Sequence, residues 1–220
     1  MIDTIIVPQG AEYRAVKQGL NKLKIQQPSI LTIPIGTKRI KEIEKQFLRS
    51  PPSHVLMMGL CGSLSSQYAV GDVVLYQHCF NLNREKILIE PKLNRSICQK
   101  LDRLSLVSGI TSDRIITTIS EKQRLARNFA ASVVDMESFA YLQLLQQKAI
   151  AVSILRVVSD DVRDNLPNLE ATIDESGNIK PIAMTKAMFA QPITSLKLIK
   201  NSLQSLQKLQ QVTTTLFSNS

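Results

Sequence analysis

The chain has no tryptophan, and phenylalanine and tyrosine bring the aromatic share to only 5% of 220 residues. So few rings leave little for stacking nucleic-acid bases, and no nucleic-acid-binding motif is present, which argues against nucleic acid as a partner. Histidine (2) and cysteine (3) are equally scarce. Cys61, Cys79 and Cys98 show no paired spacing, and His54 and His78 are not at ligand spacing. This argues against a disulfide scaffold or a bound metal, and the thiols read as buried or incidental. No apolar run approaches the roughly 20 residues that span a bilayer. The opening Met1-Ile-Asp-Thr-Ile-Ile-Val-Pro has no charged segment followed by a long apolar one, so a cytoplasmic location is expected.

Acidic residues are also in deficit. Eighteen Asp and Glu face 27 Lys and Arg, a formal net charge of +9. Such an excess attracts polyanions when it is clustered. Here it is spread along the chain, so a solvated basic surface is the favoured reading. What the chain does have is 44% apolar residues, enough for a buried core. Length and composition fit a single globular domain over residues 1–220.

The apolar pattern alternates between short runs and helical spacing. Strands are expected at Asp3–Val7, Ile30–Ile35, His54–Met58, Val73–Gln77, Val133–Val134 and Ile150–Val158. Helices are expected where Val16, Leu20 and Leu23 recur, where Ile40, Ile43 and Phe47 recur, and over Ser96–Leu104, Glu121–Phe129 and Glu137–Gln147. Asn165–Pro181 is polar and rich in turn formers, so it reads as a loop. Leu196, Ile199, Leu203, Leu206 and Leu209 form a helical stripe. Packing against the core is the favoured reading of that stripe, with a membrane surface or a partner as the alternative. The alternation implies an α/β fold with a mixed central sheet flanked by helices.

Three segments stand out chemically. Gly59-Leu60-Cys61-Gly62-Ser63 follows a buried strand, where glycine permits steep turns or close backbone approach to a ligand. Alone, it implies no more than a tight turn. Val134-Asp135-Met136-Glu137-Ser138 lies at a strand-to-helix junction. A capping role accounts for Asp135. Glu137 beside Met136 suits vicinal sugar hydroxyls, with the carboxylate accepting their hydrogen bonds and the thioether packing on the ring. Arg156-Val157-Val158-Ser159-Asp160-Asp161 ends the longest apolar strand, where ligands of α/β sheets bind. A plain ion pair is an equal rival there.

Taken together, G-x-x-G after a strand, V-G-D-V-V, V-D-M-E-S and R-V-V-S-D resemble the nucleoside phosphorylase family that includes the methylthioadenosine/S-adenosylhomocysteine nucleosidases. The resemblance covers Ile5 to about Asp161. Leu166-Pro to Gly177-Asn-Ile and Ala190-Gln-Pro further resemble the hopanoid-associated branch, whose members are similar to enzymes that release adenine from adenosylhopane. The resemblance implies a three-layer phosphorylase/hydrolase-like fold, a homo-oligomer, a small-molecule nucleoside substrate and no cofactor. It makes Asp160 the proton donor to purine N7, with Ser159 orienting it. Glu12 matches the family's water-activating glutamate. Glu137 and Met136 would hold the ribose, and Arg156 would position the nucleophile or the acids around it. Gly59, Cys61 and Gly62 would approach the substrate, with Ile119 near the base.

Hydrolysis and phosphorolysis remain open at this level. Met57 and Leu60 stand where the phosphorylases carry an arginine and a hydroxyl residue for phosphate, which favours water. Gly10 and Arg14 carry the spacing of a phosphate-binding element, which keeps phosphate in play; an exposed helix residue is the plainer reading of Arg14. A non-catalytic basic protein that retained the fold, with a peripheral membrane contact through its last helix, is a further alternative.

Overall fold

The computed structural model describes all residues except 1, 25–26, 38, 50, 103, 170–171, 175–176, 179 and 219–220, and for 46, 48 and 49 the backbone only. Strands β1 (Thr4–Pro8), β2 (Ser29–Ile33), β3 (His54–Ser63), β4 (Val73–Phe80), β5 (Lys86–Leu88), β6 (Ser105–Thr111), β7 (Val133–Asp135) and β8 (Ala151–Asp160) are interleaved with seven helices among the described residues. These are α1 (Ala11–Leu20), α2 (Ile40–Arg49), α3 (Pro91–Lys100), α4 (Ile119–Phe129), α5 (Ser138–Gln147), α6 (Pro181–Ala190) and α7 (Pro192–Ser218).

The sheet is mixed and closes on itself. β2, β1, β3 and β8 run parallel in that order, and β4 joins β8 antiparallel. β6 and β7 continue parallel to β4, and β7 returns antiparallel to β3, completing a ring of five strands. Each long strand is apolar on both faces because both are covered. Ile6, Val55, Met57, Val74, Tyr76 and Ile154 face α2 and α5, through Ile43, Phe47, Phe139, Leu142 and Leu145. Their strand neighbours Ile5, Leu56, Met58, Leu75 and Leu155 face the opposite layer, built from Val16 of α1, Ile97 of α3 and Leu209 and Leu216 of α7. The fold is therefore the three-layer α/β arrangement with a mixed central sheet. Among the described residues no helix is long and apolar enough to cross a membrane.

Three sequence readings are corrected. Gly59–Ser63 is no turn but the second half of β3, and neither Gly59 nor Gly62 adopts a positive φ. The helix expected at Ser96–Leu104 runs Pro91–Lys100 instead, started by proline at its first turn, where a missing N–H costs nothing. The stripe on α7 packs only in its second half. Leu209 is buried and Leu206 packs partly on the core, whereas Leu196, Ile199 and Leu203 are exposed. In the first half, Ser195 is buried and Leu198 lines a cavity, so the exposed apolar residues lie on the other side of the helix. Within the segment read as a loop, 170–171, 175–176 and 179 lie outside the described residues.

Candidate active site

The site is built on the pairing of β3 with β8. In that parallel register Gly59 lies opposite Arg156 and Gly62 opposite Asp160. The glycines are three apart and the charged residues four apart. A bulge between Cys61 and Gly62 absorbs the difference. Each glycine is a notch for its partner. A Cβ on Gly59 would overlap Arg156 Nη1 and lie 2.8 Å from Glu12 Oε1. One on Gly62 would lie 2.9 Å and 3.2 Å from the two carboxyl oxygens of Asp160. What glycine supplies at both places is space, not backbone freedom.

Around the first notch, Arg156 is almost fully buried and held by acids. Its Nε lies 3.4 Å from Asp135 Oδ2, and its Nη2 lies 3.5 Å from Glu137 Oε2 and donates to Ser138 Oγ at 2.9 Å. Asp135 organises the cluster. It accepts from Tyr76 Oη (2.9 Å), Thr111 Oγ1 (2.8 Å) and the backbone N–H groups of Glu137 and Ser138 (3.2 and 3.0 Å). Asp135 is not the N-cap expected of it, since Glu137 holds that position; the last two bonds instead tie down the backbone leading into α5, and the contact with Arg156 is additional. Glu137 Oε1 accepts from Gly36 N at 2.9 Å, so the loop after β2 fixes this carboxylate from across the cavity. Burial pushes the Glu137 carboxyl above its usual range, against the pull of Arg156.

Glu12 enters from the first turn of α1, and its Oε1 accepts from Leu60 N at 2.7 Å. Burial, with the Glu137 charge next in importance, pushes its carboxyl up to about 7 against the Leu60 N–H and Arg156. Three carboxylates thus share one guanidinium. Among the described residues, Arg156 Nη1 meets no hydrogen-bond acceptor.

Around the second notch stands a residue the sequence reading passed over. Lys122 of α4 is fully buried, and its Nζ pairs with Asp160 Oδ1. The same nitrogen donates to Asp161 O at 2.7 Å and Asp164 O at 3.3 Å. Ser159 Oγ approaches Asp160 Oδ2 at 3.4 Å and donates to Cys61 O at 3.2 Å. Burial raises the Asp160 carboxyl above its usual range, and Lys122 draws it back. Arg156 and Asp160 are therefore not each other's partners, as a plain ion pair would require. Asp161 turns away to Arg163, whose hydrogen bonds hold its carboxyl down to about 2.

Glu12, Leu60, Cys61, Gly62, Met136, Glu137, Ser159 and Asp160 line one cavity of about 220 Å3. Gly59 and Arg156 lie behind its wall at the first notch. Ile119 does not line it: at the start of α4 its N–H bonds the Asn165 side chain at 3.0 Å, and Arg114, Ile115 and Ile116 form that wall instead. A second chamber of about 420 Å3 shares Ile35, Arg114, Ile115, Met136 and Leu169 with the first. Of the residues that bear on phosphate, Met57 is buried in the core and Arg14 is exposed on α1; neither lines the cavity.

Solved structures share this fold. The futalosine hydrolase of Helicobacter pylori strain 26695 is 18% identical, with a TM-score of 0.61 over 92% of this chain and 98% of that one. The 5′-methylthioadenosine/S-adenosyl homocysteine nucleosidase of Campylobacter jejuni is 14% identical, with a TM-score of 0.64 over 96% and 99%. The Arabidopsis thaliana 5′-methylthioadenosine nucleosidase is 15% identical, with a TM-score of 0.69 over 98% and 94%. No curated protein sequence matches. Residues 8–188 match the family described as the phosphorylase superfamily, and the chain belongs to that family.

Proposed function

We propose that this protein hydrolyses the N-glycosidic bond of an adenosine-type purine nucleoside with a modified 5′ group, and that it does so as a cytoplasmic homo-oligomer. The observation that carries the reading is Glu12, a carboxyl pushed to about 7 at the edge of the cavity, 2.7 Å from Leu60 N and beside Arg156. Such a group changes charge near neutrality, as a base that activates water must.

Cleavage places positive charge on the sugar and negative charge on the departing purine, and both need more stabilisation in the transition state than before it. The C1′–N9 electron pair leaves with the purine, which takes a proton at N7 from Asp160. Water at Glu12 attacks C1′ and yields its proton to Glu12, while Arg156, buried behind the wall, holds the acids around it in place. Glu137 binds the ribose hydroxyls, with Met136 against the sugar. The second chamber leaves room for the 5′ group beyond Met136.

Charge favours water over phosphate. Phosphate binding needs uncompensated cations and hydroxyls. Here the Arg156 guanidinium is surrounded by Asp135, Glu137 and Glu12, and Arg114 in the cavity wall is paired with Glu121. Leu60 presents an apolar side chain, and its N–H is taken by Glu12. The neighbours named nucleosidase and hydrolase point the same way. The test is purine release from 5′-methylthioadenosine with and without inorganic phosphate. Equal rates with free 5-methylthioribose as product are expected; strict phosphate dependence with 5-methylthioribose 1-phosphate formed overturns hydrolysis.

A further inference from the structure

A fully buried lysine beside the proposed acid is the part of the site that this chemistry leaves without a task. We propose that Lys122 is the positioning residue of the leaving-group acid: it holds Asp160 Oδ1, leaves Oδ2 to face the purine, and stabilises the carboxylate once the proton has left. The inference rests on the nucleosidase reading above.

The geometry accounts for each donor. An ammonium has three N–H groups. Those of Lys122 have three acceptors, Asp160 Oδ1, Asp161 O and Asp164 O. The ammonium therefore grips the end of β8 and the turn after it, and one carboxyl oxygen of Asp160 is occupied. The other oxygen has Ser159 Oγ at 3.4 Å and the open side of Gly62 beside it, at the cavity wall. A freely rotating carboxyl would present either oxygen; this one is fixed.

The charge has a use as well. A carboxylic acid buried without a cation keeps its proton but releases it poorly, since a bare carboxylate in an apolar wall is costly. With Lys122 in place, transfer from Oδ2 to N7 leaves a carboxylate already paired. The proton goes to the base and the C1′–N9 electrons go with it, and no further reactant is needed. A purely structural strap has no need of charge here, because buried ion pairs are often replaceable by apolar side chains without loss of stability. Neighbouring Arg124 and Arg127 on the same helix are exposed. The N-cap Thr118, accepting from Glu121 N at 3.3 Å, fixes where α4 begins and so which of its residues turns inward.

Leaving-group dependence tests the role. Adenosine-type nucleosides need a proton at N7, whereas 4-nitrophenyl β-D-riboside has a leaving group that departs unaided. Lys122→Met is expected to lower kcat on 5′-methylthioadenosine by about a hundredfold or more, with the aryl riboside cleaved at close to the wild-type rate. Asp160→Asn should show the same split. Lys122→Arg, which keeps a cation, should recover part of the purine turnover. Equal loss on both substrates, or no loss on either, overturns the role. Thermal unfolding checks each variant. If Lys122→Met does not fold, Lys122→Arg carries the comparison through its ratio of purine to aryl turnover; if neither folds, Lys122 is a structural strap and the proposal fails. The two readings fail differently. A wild-type protein that releases no purine from any nucleoside sinks the nucleosidase reading, while an active wild type with Asp160→Asn selectively impaired and Lys122→Met unimpaired sinks this one alone.

Discussion

Glu12 occupies the first turn of a helix, where a carboxylate ordinarily meets solvent and a favourable dipole. Here it meets Leu60 N–H, a buried guanidinium and a second carboxylate, and burial outweighs the attractions. Two consequences have opposite sign. As a base, Glu12 must be ionised, so kcat/KM should have a limb that rises with pH at about 7. For stability, a carboxyl raised from 4.5 to about 7 on folding favours the folded state only while protonated. Its contribution is fully present below about 4.5 and is lost as pH rises through about 7. Glu12→Gln should therefore lower kcat/KM by about 10²–10⁴-fold and abolish the limb near neutrality. It should also unfold at a higher temperature than wild type at pH 8, with the gap closing toward pH 4.5. Melting curves of both proteins across that range check the sign. A wild type that is more stable than the variant at pH 8 would show that Glu12 is well paired and no poised base.

At the scale of elements, α1 is held against α7 by the absence of a side chain. A Cβ on Gly19 would lie 2.7 Å from Gln210 O and 2.8 Å from Thr213 Cβ. Gly19→Ala gains about 1 kcal/mol of helix propensity but overpacks a contact with backbone, at about 1–3 kcal/mol. The net sign is destabilising, and a melting temperature a few degrees below wild type is expected, with turnover at 25 °C little changed because Glu12 lies about two helical turns away. The same kind of glycine explains what the sequence could and could not tell. The strands β1, β2, β4, β7 and β8 were legible as apolar runs, and α4 and α5 as helical spacing. β6 was not, because Ser108 and Gly109 interrupt its run; Gly109 is there to pass the Tyr76 ring, which a Cβ would overlap. The extension of β3 through Gly59–Ser63 was missed for a related reason. Glycine reads as punctuation along one strand, whereas its cause lies on β8, in Arg156 and Asp160 across the ladder. Glu137, Arg156 and Asp160 stood out in their own segments, but their joint role, and Glu12 altogether, came through family resemblance, since no local pattern links positions so far apart. Lys122 stayed hidden because Ser-Glu-Lys-Gln-Arg reads as a solvated helix face, and only the packing of α4 on the end of β8 shows otherwise.

At the scale of the molecule, α7 is apolar on two sides. Toward the domain it offers Leu198, which lines the cavity, and further on Leu209, Val212 and Leu216 in the core. Away from it, Ile193, Leu196 and Leu203 lie exposed on a stripe of helical spacing, and α6 adds Ile182 and Phe189, the last 82% exposed. A helix apolar on both sides has a second contact to make, and a patch of large side chains on this scale marks an association surface. Burial of each such side chain is worth about 1.5–3 kcal/mol. Repulsion between two chains of net charge +9 works against a dimer, but exposed charges more than about 8 Å apart are largely screened at physiological salt. We therefore expect a second copy of the chain on this face, in line with the homo-oligomer proposed above. Sedimentation at micromolar concentration should give a dimer or larger assembly, and the pair Phe189→Glu and Leu196→Glu should shift it to monomer. Because Leu198 lies on the other side of the same helical segment, loss of the partner should also slacken the cavity wall. A displacement of about 1 Å there is enough to lower kcat/KM by up to about a hundredfold. A wild type that sediments as a monomer, or a charged variant that stays assembled, would place the interface elsewhere. Assembly lost with turnover unchanged would show that the inner face of α7 holds its place without a partner.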